Sequence, residues 1–265
     1  MNMENILVSI VIPAYNASND IERCIESVLQ QTYQYFEIIV VDDGSKDDTV
    51  EKVANIKKQY ENDNIKLIRQ QNSGPSKARN NGIGMAKGEL IAFLDSDDEW
   101  NLEKLEKIVC VFADNPSLSV LGSLYSIGNK KIFKDRIGVV KKLSISNLLI
   151  KNHLITSATV CKTELLKRLK FNENQKYSED YRLWLEICAN GNECAVIQEC
   201  LVKMCDKPIY GHKGLASRLW FMEKGELSNY HYLWKQNLIS FWQYFFACNI
   251  SIVKYVKREI LTLIK

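Results

Sequence analysis

The chain has 265 residues, of which 46% are apolar, and its charges nearly balance at a formal net charge of +3. This length suits one large α/β domain with an appendage, and the balanced charge gives no whole-protein field that would indicate nucleic-acid binding. Its eight cysteines form no C-x-x-C pair and lack common zinc-site spacing, so we expect reduced thiols in a cytoplasmic protein.

The first part of the chain alternates strand and helix patterns. The near-continuous apolar run 6–12 predicts a strand buried on both faces, and it is too short for a signal peptide or a membrane span. Further strands are predicted at 36–41, 65–68 and 88–94, and helices at 21–29, 47–61, 74–86 and 102–114. Repeated βα units predict a mainly parallel, doubly wound α/β sheet that binds ligands at the carboxyl ends of its strands.

The pattern loosens after residue 125. Residues 157–161 predict a short strand, a helix follows Glu179 and Asp180, and aromatic-rich helices follow Lys213. We find no repeats and no low-complexity linker. We therefore expect one domain over residues 1–212 and a C-terminal helical extension over residues 213–265.

Three polar clusters follow predicted strands, at 13–16, 42–45 and 95–98, and should share one rim of the sheet. The cluster at 95–98 contains Asp95, Asp97 and Asp98, while Glu99 is expected in a solvated loop. A loop that only caps the next helix would need one such side chain. Three crowded aspartates fit a hard divalent cation better, namely Mg²⁺ or Mn²⁺.

The remaining candidates have two readings each. Asp42 and Asp43 are either ordinary turn residues or acceptors for a base N–H or a ribose hydroxyl. Arg79, near a helix start, faces either solvent or a nucleotide phosphate. Ser178 can be the N-cap of a helix with Glu179 and Asp180 in its first turn, or these acids can line a pocket.

Taken together, five segments resemble the family 2 glycosyltransferases, which are inverting enzymes of the Rossmann-like GT-A fold. The segments are VSIVIPAYN (8–16), SVLQQTY (27–33), EIIVVDDGSKDDT (37–49), NSGPSKARNNGIGMAKGELIAFLDSDD (72–98) and YSEDYRLWL (177–185). They occur in the same order as in the family and cover about the first 190 residues.

The resemblance implies a role for each matching residue. The nucleotide contacts would come from Pro13, Tyr15, Asp42, Asp43, Arg79 and Asp95. Of the acidic turn, Asp43 is the first choice for the uracil or ribose and Asp42 the second. Asp97 or Asp98 would bind the metal, and His212 resembles a late-loop histidine that completes such a site. Asp180 matches the catalytic base.

The implied reaction moves a single sugar from a nucleotide-sugar, with a UDP-sugar expected, to a hydroxyl of a lipid-linked saccharide on undecaprenyl diphosphate. Similar enzymes build O-antigen or capsule and form a β-linkage from an α-linked donor. The sequence has Arg182-Leu183-Trp184 after the base and lacks the Q-x-x-R-W signature of processive members. Two other functions are the alternatives. A nucleotidyltransferase would carry a basic Gly-rich loop near the first strand. A non-catalytic nucleotide-binding module would tolerate loss of Asp180 or of the acidic motif.

The C-terminal segment predicts a helix with Val253, Val256, Ile260 and Leu263 on one face. Lys254, Lys257, Arg258 and Lys265 add positive charge beside this face, as in helices that lie on membrane surfaces. The alternative is a helix packed on the domain's own core. The interpretation as a membrane-surface helix predicts a cytoplasmic protein that is held peripherally on the inner face of the cell membrane.

Overall fold

In the computed structural model, which describes residues 6–60, 64–205 and 218–263, strands and helices alternate early in the chain as predicted. The strands are β1 (Val8–Ala14), β2 (Phe36–Asp42), β3 (Ile65–Arg69), β4 (Leu90–Phe93), β5 (Asp98–Trp100), β6 (Leu118–Ile127), β7 (Lys130–Lys131), β8 (Val140–Leu143), β9 (Val160–Lys162) and β10 (Glu193–Met204). The helices are α1 (Ile21–Leu29), α2 (Thr49–Gln59), α3 (Pro75–Met85), α4 (Lys104–Asp114), α5 (Ile145–Ile150), α6 (Thr163–Arg168), α7 (Glu179–Ala189), α8 (Leu219–Lys235) and α9 (Phe241–Leu263).

One mixed sheet contains all ten of these strands, in the order β3-β2-β1-β4-β9-β6-β10-β5, with β7 beside β6 and β8 beside β10. The strands β3, β2, β1 and β4 are parallel, which confirms the predicted doubly wound α/β half. In the register of this half Ala14 lies opposite Asp42, so the polar loops that follow β1 and β2 begin side by side.

The second half of the sheet is reached through β9, which runs antiparallel to both β4 and β6. The prediction of a strand over 157–161 was partly wrong, because Thr156–Ala158 form a 3-10 turn and β9 starts at Val160. The expectation that Glu99 lies in a solvated loop was also wrong. It lies in β5, which pairs antiparallel with β10, and it forms ion pairs with Arg23 at 2.7 Å and Lys203 at 3.4 Å.

Apolar clusters cover both faces of the sheet, as expected for strands with near-continuous apolar runs. Helix α3 lies unusually close to β1, because a Cβ at Gly82 would be only 2.4 Å from Val11 Cγ1. A glycine is therefore needed at this position for α3 to pack directly against the central strand. The free cysteines agree with the prediction of reduced thiols.

The C-terminal helices pack on the domain. Tyr230 and Leu233 of α8 are buried in the same apolar cluster as Trp184 of α7. In α9, Ala247 and Ser251 are buried, so the packed-helix alternative holds for one side of this helix. The predicted domain boundary at residue 212 lies outside the described residues.

Helix α8 also contacts the backbone that precedes α7. A Cβ at Gly225 would lie 2.6 Å from the carbonyl oxygen of Tyr177, so only glycine permits this approach. Asn229 Nδ2 donates to the carbonyl oxygen of Ser178 at 2.9 Å, and Ser178 Oγ donates to the carbonyl oxygen of Met222 at 3.3 Å. The extension therefore holds the segment that leads into α7.

No helix in the described ranges combines the length and the apolar character that crossing a membrane requires.

Candidate active site

The acidic loop follows directly from the buried strand β4. One carboxylate oxygen from each of Asp95, Asp97 and Asp98 lies within 4.8 Å of the others, as the sequence predicted for a cation site. Asp98 is fully buried and accepts a hydrogen bond from Ser157 Oγ at 2.5 Å, whereas Asp95 and Asp97 are half-buried. Three carboxylates form a hard oxygen donor set, so these residues fit Mg²⁺ or Mn²⁺.

Arg79 connects this loop to a second acidic pair. Its Nη2 donates to Asp95 Oδ1 at 2.8 Å, and its Nη1 donates to Glu179 Oε1 at 3.2 Å. The side chain is 7% exposed, so the interpretation that Arg79 faces solvent was wrong. Burial alone would lower the pKa of Arg79, but the charges of Asp95 and Glu179 outweigh it and raise this pKa.

Glu179 and Asp180 are the first two residues of α7, and the pKa values of both are raised. Desolvation is the largest cause in each case, and the charge of Asp180 adds to it at Glu179. The Arg79 charge acts in the opposite direction on both groups. Asp180 also accepts hydrogen bonds from Thr156 Oγ1 at 3.1 Å and from the Tyr181 N–H at 2.7 Å. A carboxylate in such surroundings is suited to accept a proton.

The 3-10 turn at 156–158 joins the two acidic groups, and the sequence did not predict this. Thr156 donates to Asp180, while the next residue, Ser157, donates to Asp98 and accepts the Asp95 N–H at 3.1 Å. Antiparallel pairing of β9 with β4 places this turn behind the acidic loop. Thr and Ser at these positions belong to no local motif, and only that long-range strand pairing would have revealed them.

The loops after β1 and β2 form the other end of the rim. The Asn16 N–H donates to Ser45 Oγ at 2.9 Å, and Asn16 Oδ1 accepts the Lys46 N–H at 2.9 Å. These bonds hold the two loops together. Tyr15 directly follows β1 and is 48% exposed, and Pro13 is the penultimate residue of that strand.

Asp42 and Asp43 are both buried, but they differ in their hydrogen bonds. Asp43 Oδ1 accepts from Gln70 Nε2 and the Ser73 N–H, both at 2.7 Å, and its Oδ2 accepts the Gly74 N–H at 2.8 Å. Asp43 thus fixes the loop that starts α3, the helix of Arg79. Asp42 Oδ2 accepts no hydrogen bond from the described residues, although Arg69 Nε lies 3.5 Å away.

Two further predictions about the rim have different outcomes. Ser178 is the N-cap residue of α7, with Glu179 and Asp180 in the first turn as predicted, but its φ of 55° is left-handed and its side chain makes no capping hydrogen bond. The packing of α8 on this segment explains that conformation. His212, predicted to complete the metal site, lies outside the described residues.

The chain is similar in sequence to known sugar transferases. A sequence model described as "Glycosyl transferase family 2" matches residues 9–169. An Escherichia coli relative named "UDP-Glc:alpha-D-GlcNAc-diphosphoundecaprenol beta-1,3-glucosyltransferase WfgD" is 36% identical over 195 residues, which cover 73% of this chain and 74% of the relative.

Two solved structures share the fold. A crystal structure of S. aureus TarS in complex with UDP matches with a TM-score of 0.67 and 23% identity, over 84% of this chain and 65% of that one. The mannosyltransferase PcManGT from Pyrobaculum calidifontis, in complex with GDP-Man and Mn²⁺, matches with a TM-score of 0.66 and 18% identity, over 86% of this chain and 64% of that one. The chain thus spans less than two thirds of either solved chain, and the likeness confirms the predicted GT-A architecture.

Proposed function

The chain belongs to glycosyltransferase family 2, and on that premise we propose that it is a metal-dependent, inverting transferase. It moves one sugar from a UDP-sugar to a hydroxyl of a lipid-linked saccharide, in the synthesis of a bacterial surface polysaccharide such as O-antigen or capsule. The observation that carries this proposal is Arg79, which joins the acidic loop at Asp95 to Glu179, next to Asp180. The donor would bind on the Asp95 side of this arginine, and the acceptor would bind on the Asp180 side.

The donor half uses the loops after β1 and β2. Pro13 and the exposed Tyr15 would lie against the base, and the acceptor oxygen of Asp42 that lacks a hydrogen bond would receive one from the base or ribose. Asp43 would support this contact by holding the start of α3. Arg79 and Asp95 would face the ribose and diphosphate.

The acidic loop would hold Mn²⁺ or Mg²⁺. Asp97 is the better candidate ligand, because Asp98 is fully buried and already accepts the Ser157 hydroxyl. When bound, the cation supplies positive charge against the charge that develops on the leaving diphosphate. The mannosyltransferase of Pyrobaculum calidifontis, solved with Mn²⁺, supports this assignment.

Asp180 would act as the base. It takes the proton from the acceptor hydroxyl while that oxygen forms a bond to the anomeric carbon. The bond from that carbon to the diphosphate oxygen breaks on the opposite face, and its electron pair leaves with UDP, so the configuration inverts. The raised pKa of Asp180 makes it a stronger base than an exposed aspartate.

A lipid-linked acceptor places the protein on the inner face of the cell membrane. A chain of aromatic contacts connects α9 with the segment that leads into Asp180. The ring centres of Trp220 and Tyr255 lie 5.6 Å apart, and the next residue, Phe221, stacks on Tyr177 with ring centres 5.5 Å apart. This surface offers a path from a membrane at α9 to Asp180. The name of the Escherichia coli relative includes a diphosphoundecaprenol acceptor, which supports the same acceptor class here.

Replacement of Asp180 by Asn tests the proposed base. We expect D180N to bind UDP-sugar in the presence of Mn²⁺ as the wild type does, measured by calorimetry, but to lose transfer by about 10²–10⁴-fold, measured as UDP release with a lipid-linked acceptor. Glu164→Gln, an exposed carboxylate on α6, is the control and should keep wild-type turnover. Near-normal turnover by D180N would remove Asp180 from this role.

Replacement of Asp97 by Ala tests the metal site. D97A should weaken UDP binding in the presence of Mn²⁺, while both proteins should bind UDP equally after treatment with a chelator. Chelation should also abolish transfer by the wild type, and added Mn²⁺ should restore it. Full activity without a divalent cation would contradict the metal assignment.

A further inference from the structure

The outward side of α9 is an exposed apolar stripe, here called the α9 face. Its residues are 46–69% exposed and comprise Trp242, Phe245, Phe246, Val253, Val256 and Ile260. The opposite side of the helix is buried through Ala247 and Ser251, so the domain itself does not cover the stripe. The exposed Asn249 lies between the aromatic and the aliphatic part of this stripe. Exposed apolar residues in this number on one side of a surface helix indicate a binding face.

An open cavity of about 580 Å³ lies beside the α9 face, between α5 and α9. Its lining includes Lys151, Asn152, Lys254 and Lys257 together with one carboxylate, Glu226, so cations outnumber acids and we call it the basic cavity. Asn152 adds an amide that can donate hydrogen bonds. Cationic and amide donors around one opening form a suitable site for a phosphate group.

The basic cavity carries more positive than negative charge. Arg258, which also lines it, already pairs with Glu223 at 3.1 Å and Glu226 at 3.9 Å. Within the described residues, Lys151, Lys254 and Lys257 form no ion pair with a carboxylate.

Two of these lysines make other contacts that leave their charge in place. Lys254 donates to the carbonyl oxygen of Ile150, and Lys151 lies 4.8 Å from the centre of the Phe133 ring. Burial is the largest cause that lowers the pKa of Lys254, and the charges of Arg258 and Lys151 lower it further, although Glu226 opposes them. His153, close by, has its pKa lowered by burial and then by Lys151, Lys141 and Lys254. The cations thus repel one another, and a bound anion would relieve that repulsion.

We propose that the α9 face docks on an anionic lipid bilayer and that the basic cavity binds the phosphate of an anionic phospholipid headgroup. This inference rests on the membrane placement in the proposed function and adds the docking face, the ligand and its site. Trp242, Phe245 and Phe246 provide aromatic rings suited to the interface, and the lysines at the side of the stripe meet the phosphates. A neutral protein partner would leave this excess of positive charge unmatched.

The test measures co-sedimentation of the full chain with vesicles, without donor or metal. One set of vesicles is phosphatidylcholine alone, and the other contains phosphatidylglycerol as well. The wild type should bind the mixed vesicles more tightly, and added NaCl should weaken that binding. K151A/K257A should lose about fivefold per lysine on the mixed vesicles, or about 25-fold in all, and change little on neutral ones.

Two further double variants complete the design. Lys57→Ala/Lys58→Ala removes the same charge from the exposed end of α2 and should bind as the wild type does. Phe246→Ser/Val253→Ser should lose binding to both kinds of vesicle. The replaced side chains are exposed, so all variants should melt close to the wild-type temperature.

Any of four results would overturn the proposal, and three of them concern binding and oligomeric state. These are equal binding of the wild type to neutral and mixed vesicles, unchanged binding of K151A/K257A, and a dimer that forms through the α9 face without vesicle binding. Stabilisation by inorganic phosphate without vesicle binding would assign the cavity to a soluble anion and also overturn it. Since this assay needs no turnover, its failure is separate from a failure of the D180N test.

Discussion

Substitution of Thr156 by Val isolates the contribution of one hydrogen bond to the proposed base. Valine keeps the shape of threonine but removes the hydroxyl that donates to Asp180 Oδ2 at 3.1 Å. A hydrogen bond to a charged group contributes about 1.5–3 kcal/mol, part of which remains when the carboxyl is protonated. If about 1.4 kcal/mol of it favours the ionised form alone, T156V raises the pKa of Asp180 by about one pH unit.

The sign of the effect follows from the role of the base. Asp180 acts when ionised, so activity falls as the pH drops through its pKa, and a higher pKa moves this loss to a higher pH. At the pH where the wild type keeps half of its maximal kcat, T156V should keep about a tenth of its own maximal kcat. At higher pH the two profiles should converge, because both carboxylates are then ionised.

The assay is the pH profile of kcat for donor-dependent UDP release, with Thr159→Val as the matched control. Thr159 lies in the same region, and its hydroxyl donates to the carbonyl oxygen of Ile155 at 2.7 Å instead of to a carboxylate. T159V should therefore lower stability without moving the acidic limb of the profile. An acidic limb that stays in place for T156V, or moves equally in T159V, would refute this reasoning.

Three other substitutions give distinct results. S157A removes the bonds to Asp98 and the Asp95 N–H, so it should raise the Mn²⁺ concentration for half-maximal activity by about 10–100-fold and leave the pH profile in place. K104M replaces a buried lysine whose pKa burial lowers from 10.5 to about 7. Unfolded chains keep that proton up to higher pH, so in urea titrations K104M should gain about 5 kcal/mol below pH 7 and progressively less toward pH 10. G82A brings a Cβ to 2.4 Å from Val11 and should cost about 1–3 kcal/mol in the same titrations.

The sequence predicted the parallel half of the sheet because its signals are local. Strands β1 and β2 are near-continuous apolar runs, and α1 has an apolar face. A few residues are therefore enough to predict whether each element is a strand or a helix. The acidic loop could be predicted for the same reason, since its aspartates follow a buried strand directly. Because the carboxyl ends of parallel strands lie at one edge of a sheet, the sequence also predicted that the polar clusters share one rim.

The parts that could not be predicted depend on pairing between distant segments. Thr156 and Ser157 reach the acidic groups only because β9 pairs with β4, with Leu90 opposite Lys162. Glu99 is a strand residue only because β5 pairs with β10. Neither pairing leaves a periodic trace in a single sequence.

The C-terminal helix was predicted from one of its two faces. Val253, Val256 and Ile260 are exposed together, as the apolar spacing indicated, while the side chain of Leu263 lies outside the described part. The inward side of α9 has the small residues Ala247 and Ser251, with Tyr244 and Cys248 partly buried beside them, so its apolar signal is weaker than that of the exposed stripe. Packing on a domain by such residues is difficult to recognise without the partner surface.

Because α8 contacts the backbone of Tyr177 and Ser178, we expect the extension to belong to the same cooperative folding unit as the proposed base. A fragment that ends before α8 would keep the central strands but lose the support that holds Ser178 in its left-handed conformation. Such a fragment should retain an ordered sheet while the first turn of α7 frays in hydrogen exchange. Substitutions in this protein should therefore be tolerated more readily at solvent-facing positions of α8, such as Lys224, than at Gly225 and Asn229.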